Sequence, residues 1–347
     1  MHSISIIIPI YKVEKYIERC LSSVMAQTYQ DGAVECILVN DCTPDNSMRI
    51  ATQMIEMYEG PIRFRILDNP VNQGLSCSRN NGLNVANGEY VLFIDSDDHI
   101  SANCLECLTR ELDRYDCLID MVVGNIYDGH TKSNWMNKIH SPYIIKNHLD
   151  IVKMHLNLLA PVMAWNKLIR RQFLIDNHLF FIPRLVQEDE LWSLELYNCI
   201  STVVFIPNVT YIYEDNTGSI MNSTKDMSPI AKGYVKLVEQ TLMNINNELY
   251  VEKCFFAIHN ALLLSHLVDS YDVDILIVEK YRQLSRQLFG RTLSDGRLSI
   301  SLYTVFSLFP PFRYLFRFGW FRRTHYKIEL IAKRIALFFN FLHKNAL

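Results

Sequence analysis

The chain has 347 residues, 49% of them hydrophobic and 20% charged, with a formal net charge of -3. This is globular composition at the apolar end, which excludes a disordered chain, and the length suits about two domains at roughly 100 to 200 residues each. The slight acidity excludes a nucleic acid as partner of the chain as a whole.

The N-terminus runs directly into the apolar stretch "SISIIIPI" with no basic region or cleavage site before it, so no signal peptide is expected. A short continuous apolar run of this kind suits a strand buried on both faces. "EKYIERCLSSVMAQ" follows, with Tyr16, Ile17, Cys20, Leu21 and Val24 at helical spacing. Then come a strand "ECILVN", a helix from Asp45 to Tyr58, a strand "IRFRIL", a helix from Leu75 to Ala86 and a strand "EYVLFID". The alternation predicts an open α/β sheet of parallel strands joined by crossover helices. Ligands of such sheets bind beyond the carboxyl ends of the strands. Here those ends carry Pro9 to Tyr11, Asn40 and Asp41, Asp68 and Asn69, and Asp95 to Asp98.

Farther on, a helix is expected over 102–114 and a strand over 119–126. "QEDELWSLELYNC" reads as a helix opened by acids, and "TVVFIPNVTYIY" as two short strands around a turn. Long helical patterns dominate from Pro229, which divides the chain into an α/β domain over 1–225 and a helical region over 226–347. The nine cysteines are odd in number and scattered, as in a reduced cytoplasmic protein. Cys104 and Cys107 fit one face of a helix, and neither a second pair nor a histidine completes a zinc set. No run reaches the ~18 apolar residues that span a bilayer.

Three carboxylates at the end of one apolar strand, Asp95, Asp97 and Asp98, repel one another unless a cation sits among them. Their hard oxygens suit Mg²⁺ or Mn²⁺, which would bridge a ligand's diphosphate to the chain. The phosphate loop G-x-x-x-x-G-K-[ST] and the dinucleotide fingerprint G-x-G-x-x-G are both absent. A second anion site is suggested by Gly74, which turns into a helix whose first turn bears Ser76, Ser78 and Arg79.

"SIIIPIYKVEKYIERCLSSVMAQTY", "LVNDCTPDNS", "NQGLSCSRNNGLNVANGEYVLFIDSDD" and "VQEDELW" together resemble the ordered motifs of the family 2 glycosyltransferases. The resemblance is dense over residues 3–100 and looser over 160–220. It implies an inverting enzyme with the GT-A nucleotide-diphospho-sugar transferase fold, of the bacterial surface-polysaccharide type. It also implies a nucleotide-sugar donor, usually a UDP-sugar, with Mn²⁺ or Mg²⁺ as cofactor, and a glycan or lipid-linked acceptor. By this resemblance Pro9, Tyr11 and Glu14 contact the donor, Tyr11 packing on the base, and Asp41 bonds the uracil. Arg79 contacts base and phosphate, Asp95 and Ser96 lie along the donor, and Asp97 or Asp98 holds the metal. Asp189 matches the base that takes the proton of the acceptor hydroxyl, with Glu188 as its reserve. Without the resemblance, both would read as helix N-terminal acids. Trp165 in "AWNKLIRRQFL" is either a sugar-stacking residue at the acceptor or a core tryptophan. "YIYEDNTGSIM" resembles a later loop near the diphosphate, but Glu214 stands where the family commonly has a basic residue.

From Phe312 to the C-terminus, eight lysines and arginines face the single acid Glu329. As a helix this tail would set Ile331, Ile335, Phe338 and Leu342 opposite Lys333, Asn340 and Lys344. Such a segment either contacts an anionic membrane leaflet peripherally or packs on the main domain. Two rivals stay open on sequence alone, a sugar nucleotidylyltransferase and a non-catalytic nucleotide-sugar or membrane-binding scaffold.

Overall fold

The computed structural model describes residues 1–129, 131, 133–134, 136, 139–214, 226–244, 248–271 and 273–294. Strand β1 (Ile4–Ile10) is buried at every position, as its unbroken apolar run requires. Helix α1 (Ile17–Met25) lays Ile17, Cys20, Leu21 and Val24 onto the core. Strand β2 (Val34–Asn40), α2 (Ser47–Glu56) and β3 (Arg63–Asp68) follow, β3 being a largely exposed edge strand with charged side chains on its outer face. Helix α3 (Leu75–Val85) and strand β4 (Tyr90–Phe93) complete the predicted alternation. At Gly82 of α3, a Cβ would lie 2.4 Å from the Ile7 side chain, so glycine here lets the helix rest directly on β1.

The chain continues through β5 (His99–Ile100), α4 (Cys104–Thr109), β6 (Met121–Asp128), β7 (Ser133–Asn134) and β8 (Tyr143–Ile145). It then forms α5 (His148–Leu156), β9 (Lys167–Arg170), α6 (Arg171–Asp176), α7 (Glu188–Cys199) and β10 (Val203–Tyr213). Among the described residues the strands make one sheet in the order β3-β2-β1-β4-β9-β6-β10-β5, with β7 on β6 and β8 on β10. Strands β1 to β4 are mutually parallel where they pair. The chain winds outward from β1 to β3 and returns to β4 beside β1, and this reversal opens a crevice at the carboxyl ends.

Three elements differ from the sequence reading. The helix expected over 102–114 is shorter, ending at Thr109. Residues 203–213 form one strand rather than two: Pro207 is accommodated where the pairing with β6 shifts register, and its carbonyl accepts from Asn125 Nδ2 at 3.2 Å. Strand β9 was not predicted; it is four residues long and runs antiparallel between β4 and β6.

The chain divides into two compact units. One comprises Met1–Val152 and Val162–Ser223. The other comprises Lys153–Pro161 and, among the described residues, helices α8 (Ser228–Met243), α9 (Tyr250–Ser270) and α10 (Ile275–Ser294). These three helices pack through Val238, Leu242, Phe255, Ile258, Leu284 and Leu288. Cys104 and Cys107 are both buried in the core of the first unit. No helix among the described residues is long and apolar enough to cross a membrane. The basic amphipathic tail lies outside the described residues.

Candidate active site

The carboxyl ends of β1 and β2 turn sharply, with Lys12 and Cys42 both at φ 55°. Pro9 is buried within β1, while Tyr11 just past its end is exposed. Asp41 is buried and acts as a hub: it accepts from Asn69 Nδ2, the Gln73 N–H and the Gly74 N–H, each at 2.8 Å. These bonds fix the entry to α3, where Gly74 adopts φ 88° as the N-cap residue. Glu14 points elsewhere, accepting from the Asn46 N–H at 3.0 Å and so capping the start of α2.

Arg79, one turn into α3, was expected to face an anion. It is instead 1% exposed, and its guanidinium forks among three carboxylates. Nη2 donates to Asp95 Oδ1 at 2.7 Å, while Nη1 donates to Glu188 Oε1 at 2.8 Å and Asp189 Oδ1 at 2.9 Å. The Phe181 ring lies 5.1 Å from it and is itself stacked on Trp192. Burial disfavours the charge, but Asp189, Asp95 and Glu188 outweigh it and hold Arg79 firmly protonated. One buried cation thus ties the tip of β4 to the first turn of α7.

At the β4 tip the three aspartates have different fates. Burial pushes Asp95 up to about 6, with the Asp97 and Asp189 charges adding to the rise and Arg79 opposing it. Asp98 is 2% exposed and turned inward, accepting from the Tyr211 hydroxyl at 2.8 Å and the Glu214 N–H at 2.9 Å. Burial, then the charges of Asp97 and Asp95, push it up to about 8. Ser96 is buried. Asp97 is half-buried, and its carbonyl accepts from Arg19 Nη2 at 2.8 Å.

Helix α7 begins after Gln187, whose φ of 61° is the left-handed turn that starts the acidic first turn. Acids are favoured at this positive end. Asp189 keeps 20% of its side chain exposed, with Oδ1 on Arg79 and Oδ2 accepting from the Ala164 N–H at 3.1 Å. Glu188 is more deeply placed, and burial together with the Asp189 charge raises it to about 7. Beneath this turn lies Lys167 of β9, fully buried, its ammonium donating to the Met163 carbonyl. Burial lowers Lys167 to about 7, although the Asp189 charge works against that.

Trp165 is 5% exposed and stacked on Tyr211 at 4.2 Å, with Tyr213 also parallel at 5.8 Å. It is a core residue that braces the tyrosine holding Asp98, and the acceptor contact considered for it is not what the structure shows. Sequence reasoning also missed Lys167, Phe181, Tyr211 and Arg19. The charge of Lys167 and Arg19 was visible, but their neighbours were not.

Among the described residues no group of three His, Cys, Asp or Glu side chains is arranged to hold a divalent cation. Asp98, the alternative ligand, already serves Tyr211 and Glu214. Asp97 fits the remaining possibility, because Mg²⁺ and Mn²⁺ commonly use one or two carboxylates with substrate phosphates completing the sphere. The site therefore suits a cation brought together with a diphosphate better than a resident ion.

The model of "Glycosyl transferase family 2" matches residues 5–177. Glycosyltransferase GlyG of Streptococcus pneumoniae is 30% identical over 234 residues, covering 65% of this chain and 75% of that protein. TarS of Staphylococcus aureus, a poly(ribitol-phosphate) β-N-acetylglucosaminyltransferase, is 26% identical over 231 residues, 66% of this chain and 38% of TarS. The structure of TarS 1–349 with UDP-GlcNAc superposes with a TM-score of 0.63 at 20% identity, covering 83% of this chain and 80% of that one. The mannosyltransferase PcManGT of Pyrobaculum calidifontis, in complex with GDP-Man and Mn²⁺, gives a TM-score of 0.55 at 13% identity, covering 96% and 86%. The open mixed sheet is the GT-A fold, and the chain belongs to glycosyl transferase family 2.

Proposed function

We propose that the chain transfers a sugar, with inversion, from a UDP-sugar to a hydroxyl of a glycan or lipid-linked acceptor in surface-polysaccharide synthesis. The observation that carries this reading is the Arg79 fork, which fixes Asp189 and Asp95 relative to each other from opposite sides of one guanidinium. The uracil lies beyond the ends of β1 and β2, with the exposed Tyr11 ring beneath it and Asp41 at its edge. Asp41 already accepts three bonds, and a carboxylate offers about four lone-pair sites. The donor then runs along Asp95 and Ser96 toward Asp97. When bound, Mg²⁺ or Mn²⁺ on Asp97 would offset charge on the leaving diphosphate.

Asp189 takes the proton of the acceptor hydroxyl as its oxygen bonds to the anomeric carbon. The bond from that carbon to the diphosphate oxygen breaks, and UDP leaves with the electron pair. Arg79 and the Ala164 N–H hold Asp189 in one orientation. Arg79 is therefore a positioning residue in this reading, and Pro9 and Glu14 shape the pocket from outside it. TarS, by its name, glycosylates a polyol-phosphate polymer, which supports an acceptor of the cell-surface polymer class. All nine cysteines are free, which supports action in the cytoplasm.

The test is UDP release from a panel of UDP-sugars, with and without Mn²⁺, in the presence of cell-surface glycan fractions. One donor should stand out, with Mn²⁺ stimulating its turnover. A protein that binds UDP but turns over no nucleotide sugar would be a scaffold, and one that releases pyrophosphate from a nucleoside triphosphate and a sugar phosphate would be a nucleotidylyltransferase.

A further inference from the structure

A donor diphosphate beside Asp97 brings negative charge that Arg79 does not meet. Both terminal nitrogens of Arg79 are engaged by Asp95, Glu188 and Asp189, and the group is buried beneath them. A second guanidinium stands at the same tip. Arg19 lies in the first turn of α1, at the end of that helix nearest the carboxyl edge of β1. Its side chain is 41% exposed, Nη2 donates to the Asp97 carbonyl at 2.8 Å, and Nη1 stands 3.5 Å from Glu214 Oε1.

These contacts hold Arg19 in place without filling its capacity. A guanidinium presents five N–H donors in a rigid fork. One bonds a neutral carbonyl, and the carboxylate contact is long and partly solvated, a kind of pair that contributes little. Diphosphate oxygens accept the fork in bidentate fashion, with shorter, charge-assisted bonds. Glu214 is anchored through its backbone N–H on Asp98, and the same Oε1 that faces Arg19 lies 3.6 Å from His99 Nδ1. The tip therefore sets the Asp97 carbonyl and the Glu214 carboxylate against a partly exposed arginine. Glu214 also stands where, by the resemblance, the family commonly has a basic residue.

Resting on the UDP-sugar reading, we propose that Arg19 binds the donor's diphosphate and that Glu214, its partner at the β4 tip, is displaced from the guanidinium when the donor arrives. In this reading α1 supplies a cationic side chain to the leaving group, alongside any metal held by Asp97.

Calorimetric titration of UDP and of uridine, each with Mn²⁺, tests this on the wild type, Arg19→Gln, Arg19→Lys and Glu214→Gln. Arg19→Gln should weaken UDP about tenfold while changing uridine less than about twofold, because only UDP carries the phosphates. Arg19→Lys should recover part of the loss, since a point charge replaces a fork. Glu214→Gln should tighten UDP by about threefold by removing both a competitor and a like charge. Equal weakening of UDP and uridine in Arg19→Gln would mean that Arg19 only braces the Asp97 loop, and would overturn the proposal. Unchanged UDP affinity in Glu214→Gln, which leaves Arg19 in place, would also count against it. A wild type that binds neither compound would sink the donor reading itself, an outcome distinct from these.

Discussion

The tip of β4 and the first turn of α7 each present three acids within four residues, yet the fold treats them differently. On β4, Asp95 pairs with Arg79, Asp98 is sealed inward by Tyr211 and the Glu214 N–H, and Asp97 keeps access to solvent. On α7, Glu188 is drawn down onto the same arginine, while Asp189 stays partly exposed between Arg79 and the Ala164 N–H. In each cluster a buried acid sits beside one that keeps access to solvent, Asp98 beside Asp97 and Glu188 beside Asp189. Partners and burial, more than the motif itself, assign the roles. The two clusters share one cation, Arg79, which joins the tip of β4 to the first turn of α7.

The largest effect that separates the two clusters is expected at Asp189. Asp189→Asn should lower kcat by about 10² to 10⁴, the usual contribution of a general base, while UDP affinity stays within about twofold. Comparable losses in kcat and in UDP binding would mean the two regions are not functionally distinct. Next comes the shared cation. Arg79→Met leaves three carboxylates converging on an apolar chain and should cost about 3–5 kcal/mol in urea unfolding. Arg79→Lys, which keeps the charge but not the fork, should recover only part of that.

A pH experiment sharpens the contrast further. Glu188 is raised from its ordinary value to about 7 by burial and by Asp189, so the folded chain holds a proton that the unfolded chain has released. Stability from this group is therefore fully present below its ordinary value and is lost as pH rises toward 7. Thermal melting across pH 4.5 to 7.5 should show a shallower decline in Glu188→Gln than in the wild type; parallel curves would place the titration elsewhere. The smallest effect is expected at Asp98. Asp98→Asn keeps an acceptor for one of its two bonds, so it should cost about 1 kcal/mol in denaturant melts and leave any Mn²⁺ stimulation of turnover intact.

Much of this architecture was legible in the chain itself. The first four strands announce themselves through apolar runs long enough to be buried on both faces, and the polar residues after them mark the ligand edge. Strand β9 was not legible because "KLIR" is short and opens with a lysine; its burial arises from insertion between β4 and β6. The proline in "FIPNV" reads as a break, yet the strand absorbs it through a register shift that only the neighbouring β6 reveals. Arg79 stood out in the sequence beside a helix start, but the partners it meets did not. A helix start favours an anion, and the anions Arg79 meets are carboxylates 16, 109 and 110 residues onward in the chain. Without the family resemblance, Asp189 reads as a helix N-terminal acid. The bond from the Ala164 N–H, contributed by the loop before β9, gives it a second anchor that no local pattern encodes.

The most direct test of the division between the two clusters is calorimetric titration of UDP, with Mn²⁺ or with chelator, into the wild type, Asp97→Asn and Asp189→Asn. The wild type should bind UDP in a Mn²⁺-dependent way, Asp97→Asn should lose that dependence together with most of the affinity, and Asp189→Asn should bind as the wild type does. Undiminished, Mn²⁺-dependent binding in Asp97→Asn, or its disappearance in Asp189→Asn alone, would contradict the assignment of nucleotide to one cluster and proton to the other.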